Sequence, residues 1–265
     1  GTADWIKHFA ASTFLLQPFF PSADYFFSFN SPSWSLGCEQ LFYFCFPLIV
    51  PFLHTKRSLF ITLLICLPIM LAGMYLTNEE QIKAYWYVNP FTRLPDFFVG
   101  VLLYQFYRSL CNKKLSYSTG TLLEAGAVAL FLLFFLCAAD IPKVYRYSCY
   151  YWLPVSLIIL IFALQQGGIS RLLSNRFLII GGEISYSFYL IHLFIIDAYM
   201  RMSAHYHWQI QWTISVPVIL CITIILSLLS FYYFEKPANK WVKRIFTKKT
   251  IINQPHGIIN KNTTN

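Results

Sequence analysis

The sequence predicts an all-α protein, a polytopic bundle of helices that spans a membrane. Of its 265 residues, 57% are hydrophobic and only 12% are charged, and the mean hydropathy is +0.54. A soluble domain usually carries about 25% charged residues. Aromatic residues make up 19% of the chain, which is typical of membrane proteins with aromatic belts at both interfaces. These values argue against a soluble domain with a very large core.

Apolar runs set the expected number of spans, because a transmembrane helix needs about 20 residues. We predict about seven spans, near residues 36–53, 58–77, 91–108, 120–138, 148–165, 177–200 and 212–234. A shorter run from Trp5 to Phe20 contains Lys7 and His8, and it suits either part of a further span or a short interfacial helix. Residues 1–246 are thus predicted to form one transmembrane domain, and the polar residues 247–265 a disordered tail.

The distribution of basic residues predicts the orientation. If the tail after residue 234 is cytoplasmic, that side carries 14 of the 20 Lys and Arg residues. Cytoplasmic loops are enriched in Lys and Arg, so we expect a multi-pass protein of the cell (inner) membrane with a cytoplasmic C-terminus. The same rule accounts for the net charge of +9 without a nucleic-acid partner. The seven cysteines show no metal-ligand spacing, and we expect neither a metal nor a tightly bound cofactor.

The first candidate site lies at the mouth of the first predicted span. Ser35, Glu39 and Tyr43 recur every four residues and therefore share one helix face, and Trp34 precedes them. A charged side chain inside a membrane is costly and usually functional. We predict that Glu39 is catalytic, as a general base, a charge stabiliser or an orienter of another group. The alternative is a carboxylate solvated by lipid headgroups, with Trp34 as an anchor.

The second candidate is Arg93, near the start of the third predicted span. Thr92 is a plausible N-cap, Pro95 suits a first helical turn, and Asp96 lies three residues after Arg93. One interpretation is an arginine at the outer mouth of a cavity, where it holds an anionic or carbonyl group. The other is a capped helix start with a surface ion pair, which contributes little.

The third candidate is a polar stripe in the sixth predicted span. Ser185, Tyr189 and His192 follow one another at spacings of four and three residues and share a helix face. Such a stripe normally faces a bundle interior or a water-filled cavity. Hydrogen bonding between helices is the structural alternative.

Four segments together resemble the acyltransferase 3 family of integral membrane acyltransferases, which modify surface and extracellular glycans. The matching segments are Trp34-Ser35-Leu36 with Glu39, Phe42, Tyr43 and Pro47; Arg93 to Gly100; Ile184 to His192; and Phe234-Glu235-Lys236-Pro237. They occur in the family's order across nearly the whole chain.

The resemblance implies transfer of an acyl group, usually acetyl from acetyl-CoA, to a carbohydrate hydroxyl at the outer face. It places Glu39 in the polar centre of the membrane domain with Trp34, Ser35 and Arg93 close by, while Tyr189 and His192 line or brace the pore. The family's presumed catalytic His and its arginine motifs lie on earlier helices that have no counterpart here. Because the chain opens on Gly1 rather than Met, we expect it to be the C-terminal two-thirds of a longer protein and to need the missing segment for activity.

We therefore predict a membrane O-acyltransferase of a cell-surface or exported carbohydrate, with the lipid bilayer, the acceptor and acyl-CoA as its partners. One alternative is a transporter or exporter of glycan precursors, since polar stripes also describe a translocation path. The other is an inactive remnant that lacks the catalytic helices.

Overall fold

The computed structural model describes residues 2–52, 55–207 and 211–252, and these residues form helices and no β-strand. The all-α prediction is thereby confirmed. The α-helices are α1 (Thr2–Thr13), α2 (Ala23–Phe26), α3 (Trp34–Ile49), α4 (Lys56–Leu76), α5 (Pro90–Leu110), α6 (Tyr117–Cys137), α7 (Lys143–Arg146), α8 (Trp152–Ala163), α9 (Gly168–Leu173), α10 (Arg176–Tyr206), α11 (Trp212–Ser230) and α12 (Lys236–Ile252).

Four helical segments in the described part of the chain are long and apolar enough to cross a membrane. They are Lys56–Leu76, Tyr117–Asp140, Arg176–Tyr206 and Trp212–Phe246. α4 exposes large apolar side chains such as Phe60, Leu64 and Ile69 along its length, as expected of a helix surrounded by lipid. These segments support the membrane bundle.

The other three predicted spans are also helical, but they are shorter or more polar. α3 has 16 residues and α8 has 12, while α5 has 21 residues that include Arg93, Asp96 and Arg108. The number of seven spans therefore stays a prediction. α1 has 12 residues, and both interpretations of the Trp5 to Phe20 run remain open.

The chain divides into two compact units, Gly1–Ile179 and Ile180–Asn265. In the first unit, α5 packs against α3, α4 and α8, and α6 packs against α8 and α9. Leu59 and Phe98 form one of its small apolar clusters, and Met70, Met74 and Trp86 contribute to another.

The start of α5 differs from the predicted one. Asn89 is the N-cap, and its side chain accepts a hydrogen bond from the Phe91 N–H at 2.9 Å. The N-cap therefore lies three residues before the predicted one, Thr92, whose hydroxyl instead donates to the backbone carbonyls of Tyr85 and Asn89. Pro95 consequently lies inside the helix rather than in its first turn.

The second unit contains α11 and α12, which are joined by the π-helical turn Phe231–Glu235. Pro237 does not end the helical segment, because proline is tolerated in a first helical turn and α12 begins at Lys236. α12 extends to Ile252. The rest of the predicted tail, residues 253–265, lies outside the described residues.

Candidate functional site

Arg93 is the centre of a polar cluster in the first unit. Its Nη1 donates to Asp96 Oδ2 at 2.9 Å, and its Nε donates to the backbone carbonyl of Tyr87, also at 2.9 Å. The two side chains of the ion pair are 17% and 30% exposed. This burial distinguishes the pair from the solvated surface pairs that contribute little to stability.

Aromatic rings surround this guanidinium. It lies 5.9 Å from the ring centroid of Trp34 and 5.5 Å from that of Tyr87, and the two rings are 4.9 Å apart. Cation–π attraction acts over distances of about 6 Å and strengthens where water is excluded. The structure therefore brings together Trp34 and Arg93, two of the predicted site residues.

Trp152 fixes the other end of the ion pair. Its indole N–H donates to Asp96 Oδ1 at 2.5 Å, so each carboxylate oxygen of Asp96 has a different partner. Trp152 begins α8, whereas Asp96 lies in the second turn of α5. The carboxylate thus joins the two helices at the level of the arginine.

A cavity of about 240 Å³ opens beside this ion pair, between α5 and α8. Arg93, Asp96, Trp152 and Ser156 are among the polar residues that line it. Its remaining residues are Val99, Gly100, Leu103, Ser148, Tyr151, Val155 and Ile159. The cavity can therefore hold a small group against a charged pair on one side and against aliphatic side chains on the other.

Glu39 is exposed on α3 and does not line this cavity. The thiol of Cys38 beside it is buried and donates to the Val88 carbonyl at 3.3 Å. Glu39 thus follows a residue that is bonded to the segment before α5. Its catalytic role stays a prediction.

The two neighbours of Glu39 on its helix face occupy different surroundings. Ser35 donates its hydroxyl to the Pro32 carbonyl at 3.2 Å, and Tyr43 is 70% exposed. Neither residue lines the α5–α8 cavity. The prediction that Ser35, Glu39 and Tyr43 share a helix is confirmed, but the structure does not bring Tyr43 to the arginine cluster.

Two side chains of the polar stripe in the second unit bond to their own helix. Ser185 donates to the Gly182 carbonyl at 2.7 Å, and His192 Nδ1 donates to the Tyr189 carbonyl at 2.7 Å. Ser185 and Tyr189 are exposed. Because Nδ1 is the donor, Nε2 is the basic nitrogen of a neutral His192 ring.

A different serine of the same segment is buried in the second unit. Ser187 is 2% exposed, and its hydroxyl donates to the carboxylate of Glu235 in the π-helical turn. This bond ties α10 to the end of α11.

Sequence reasoning missed Tyr87, Trp152 and the buried acid Glu124. The two aromatic residues carry no local signal, since their partners lie on other segments. Glu124 is 1% exposed on α6, and the rule that singled out Glu39 inside a predicted span would have found it. Across the described ranges, no three His, Cys, Asp or Glu side chains are grouped as metal ligands would be.

Comparisons with known proteins place these residues in a wider group. The chain is 28% identical over 221 residues to the O-acetyltransferase OatA of Staphylococcus aureus, which covers 78% of this chain and 36% of that protein. It is 24% identical over 215 residues to the acyltransferase MdmB of Streptomyces mycarofaciens, covering 75% of this chain and 54% of that protein. It is 26% identical over 255 residues to a Bacillus subtilis protein named "Putative peptidoglycan O-acetyltransferase YrhL", covering 89% of this chain and 39% of that protein.

The chain thus spans between 36% and 54% of the length of these relatives. No solved structure matches it significantly. The profile of the acyltransferase-domain family, acyltransferase 3, matches residues 2–232. Because that match includes the Arg93 cluster and extends over most of the sequence, the chain belongs to the acyltransferase 3 family.

Proposed function

We propose that the protein containing this chain is a membrane O-acyltransferase that moves an acetyl group from acetyl-CoA to a hydroxyl of a cell-surface or exported carbohydrate. The half-buried Arg93–Asp96 pair beside a cavity of about 240 Å³ is the observation that carries this proposal. The names of the relatives OatA and YrhL support acetyl as the group transferred and an envelope glycan as the acceptor.

The reaction requires charge stabilisation and a proton acceptor. The acceptor oxygen forms a bond to the acyl carbon, the thioester C–S bond breaks, and the sulfur of CoA leaves and takes up the proton. Arg93 is suited to stabilise the tetrahedral oxyanion, because a guanidinium carries five N–H donors and is always charged. Glu39 would accept the proton of the acceptor hydroxyl or orient the group that does.

The remaining candidates would bind rather than react. We assign Trp34 and Ser35 to the surroundings of the reacting groups, and Tyr43, Ser185, Tyr189 and His192 to the path of the acceptor or the acyl donor. Lys and Arg residues predominate on the side of α12, which supports a cytoplasmic C-terminus in the cell membrane and delivery of acetyl-CoA from that side.

Substitution of Glu39 tests the proposal. The protein is expressed in a bacterial strain that lacks its own envelope O-acetyltransferase, and both the base-labile acetyl content and the total amount of envelope glycan are measured. Because general base catalysis contributes about 10²–10⁴-fold, Glu39→Gln should lower acetylation at least about 10²-fold and leave the amount of glycan unchanged. Glu80→Gln is the matched control, since Glu80 is exposed and distant in sequence from the candidate residues.

The other outcomes discriminate between the alternatives. Acetylation by Glu39→Gln at the wild-type level would refute the catalytic assignment. A change in the amount of glycan without a change in its acetylation would indicate an exporter. Activity that appears only when the chain is joined to the preceding segment of OatA would support the expectation that further catalytic groups lie outside these residues.

A further inference from the structure

We propose that a groove between α3 and α5 binds an anionic phospholipid, with one acyl chain along the groove and the headgroup phosphate at Arg108. This α3–α5 groove has a volume of about 530 Å³. Residues from the end of α3 and from α5 line it, among them Phe46, Val50, Phe97, Val101, Tyr104 and Arg108. The lipid takes no part in acetyl transfer, so this site is independent of the proposed function.

The α3–α5 groove is open and largely apolar. Phe46 on α3 and Tyr104 on α5 are 44% and 60% exposed. The ring of Phe97 lies 5.8 Å from that of Phe46, so the two helices meet at this level. Exposed apolar side chains of membrane helices contact lipid tails, which are as apolar as they are. An acyl chain can therefore enter the groove sideways from the bilayer.

The Arg108 end of the groove lies at a membrane surface. Lys56 begins α4, one of the segments that are long and apolar enough to cross a membrane. The Lys56 ammonium lies 4.9 Å from the ring centroid of Phe106 and donates to the hydroxyl of Ser109. The last turns of α5 are therefore level with the beginning of α4, where a span meets the lipid headgroups.

The length of the groove matches one leaflet of a bilayer. From Phe97 to Arg108, α5 rises about 16 Å, at about 1.5 Å per residue. The hydrocarbon core of a bilayer is about 30 Å thick, so one leaflet contributes about 15 Å. An acyl chain whose headgroup is held at Arg108 would thus reach Phe97 near the middle of the bilayer.

The charge at the surface end favours an anionic headgroup. Arg108 is exposed and Lys56 is partly exposed, and within the described ranges neither forms an ion pair with a carboxylate. Basic groups between membrane helices on the cytoplasmic side, where the distribution of Lys and Arg also predicts this end, recognise anionic lipid headgroups. A guanidinium can hold a phosphate through two parallel N–H bonds. The groove should therefore prefer phosphatidylglycerol to phosphatidylcholine, whose headgroup has no net charge.

Native mass spectrometry of the purified protein in detergent tests the site, with dioleoyl phosphatidylglycerol and dioleoyl phosphatidylcholine as the probes. The fraction of protein that carries one lipid gives a Kd for each probe, and the wild type should bind phosphatidylglycerol more tightly. A basic residue near the surface contributes about 1 kcal/mol to the attraction of anionic lipid. Arg108→Gln should therefore raise the Kd for phosphatidylglycerol about 5-fold and change that for phosphatidylcholine little.

Two further variants separate loss of the site from loss of charge in general. Arg176→Gln removes the same charge from an exposed arginine outside the groove, on the same predicted side of the membrane, and should keep the wild-type Kd. Arg108→Lys keeps the charge and should retain most of the binding. Because the Arg108 side chain is exposed, Arg108→Gln should unfold at the wild-type temperature.

A soluble probe separates the acyl chain from the headgroup. Inorganic phosphate at the same concentration should not displace phosphatidylglycerol, because it has no chain to place between α3 and α5. Displacement by phosphate would overturn the role of the groove. Displacement by acetyl-CoA would assign the groove to the acyl donor and overturn the lipid site.

The remaining outcomes also decide the matter. Equal Kd values for phosphatidylglycerol in Arg108→Gln and the wild type, or equal increases in Arg108→Gln and Arg176→Gln, would overturn the assignment of the headgroup to Arg108. A wild type that retains neither lipid would overturn the site and indicate a groove covered by another protein segment. Acetyl transfer without lipid binding leaves the proposed function intact, whereas lipid binding through Arg108 without acetyl transfer contradicts the proposed function alone.

Discussion

Removal of the buried carboxylate of Glu124 should destabilise the first unit strongly. Its two oxygens accept hydrogen bonds from the backbone N–H groups of Gly167, Ile169 and Ser170 at 3.0, 2.8 and 3.1 Å. These groups belong to the first turn of α9 and the residue before it, where a helix has no internal acceptors for its N–H groups. Glu124 on α6 thus serves as the N-terminal cap of another helix.

The magnitude follows from these three bonds. A hydrogen bond to a charged group contributes about 1.5–3 kcal/mol, but N–H groups released at a helix start can turn partly to water. We therefore expect Glu124→Ala to lower the free energy of unfolding by about 3–5 kcal/mol, which is less than the sum of three such bonds. At about 2–4 °C per kcal/mol, the unfolding temperature should fall by about 6–20 °C.

A thiol-reactive fluorescent dye provides the assay once the other six cysteines are replaced by Ser, because the buried thiol of Cys38 then becomes accessible when the first unit unfolds. The protein is heated in detergent with the dye, and the midpoint of the fluorescence rise is recorded. Glu124→Gln keeps one acceptor oxygen and should fall between Glu124→Ala and the wild type. An unchanged midpoint for Glu124→Ala would refute the claim that this carboxylate holds α9 in place.

Two further substitutions have matched controls. A Cβ at Gly120 would lie 2.5 Å from a backbone carbonyl oxygen of the loop after α8, so Gly120→Ala should destabilise the protein by about 1–3 kcal/mol through overpacking. A Cβ at Gly126 would have no heavy atom within 4 Å, so Gly126→Ala should not lower the midpoint in the same assay. Asp96→Asn leaves the half-buried Arg93 without its counter-ion and should cost about 2–3 kcal/mol. Asp4→Asn breaks an ion pair with Lys7 in the same unit, whose side chains are 64% and 65% exposed, and should shift the midpoint little. Equal shifts for the two Asp variants would contradict the importance of burial.

Most helices of this fold are marked by their own runs of apolar residues, which is why the sequence predicts most of them. The Arg93–Asp96 pair is equally local, because residues three apart on a helix are neighbours. The helix start was harder to predict, since Asn89 and Thr92 are both good caps and the choice between them depends on the preceding π-helical turn Lys83–Val88. That turn provides the Tyr85 carbonyl to which Thr92 donates.

Which polar face of a membrane helix becomes buried is not encoded in the helix itself. An apolar segment such as α10 has little contrast between its faces, so the stripe of Ser185, Tyr189 and His192 seemed the natural interior. The bond between Ser187 and Glu235 instead buries a residue outside that stripe. The partner is 48 residues away, and no periodicity within α10 could identify it.

The aromatic residues of the arginine cluster were equally difficult to predict from the sequence. Trp34, Tyr87 and Trp152 each suit an aromatic belt, where the polar edge of a ring meets water or headgroups. Here the rings of Trp34 and Tyr87 flank a guanidinium, and the indole N–H of Trp152 meets a carboxylate 56 residues away. Such a ring can lie equally well against lipid headgroups or against protein side chains, and only the position of a charged partner decides between these two environments. A tryptophan that begins a membrane helix should therefore be examined for a buried acid on another helix before it is assigned to the lipid.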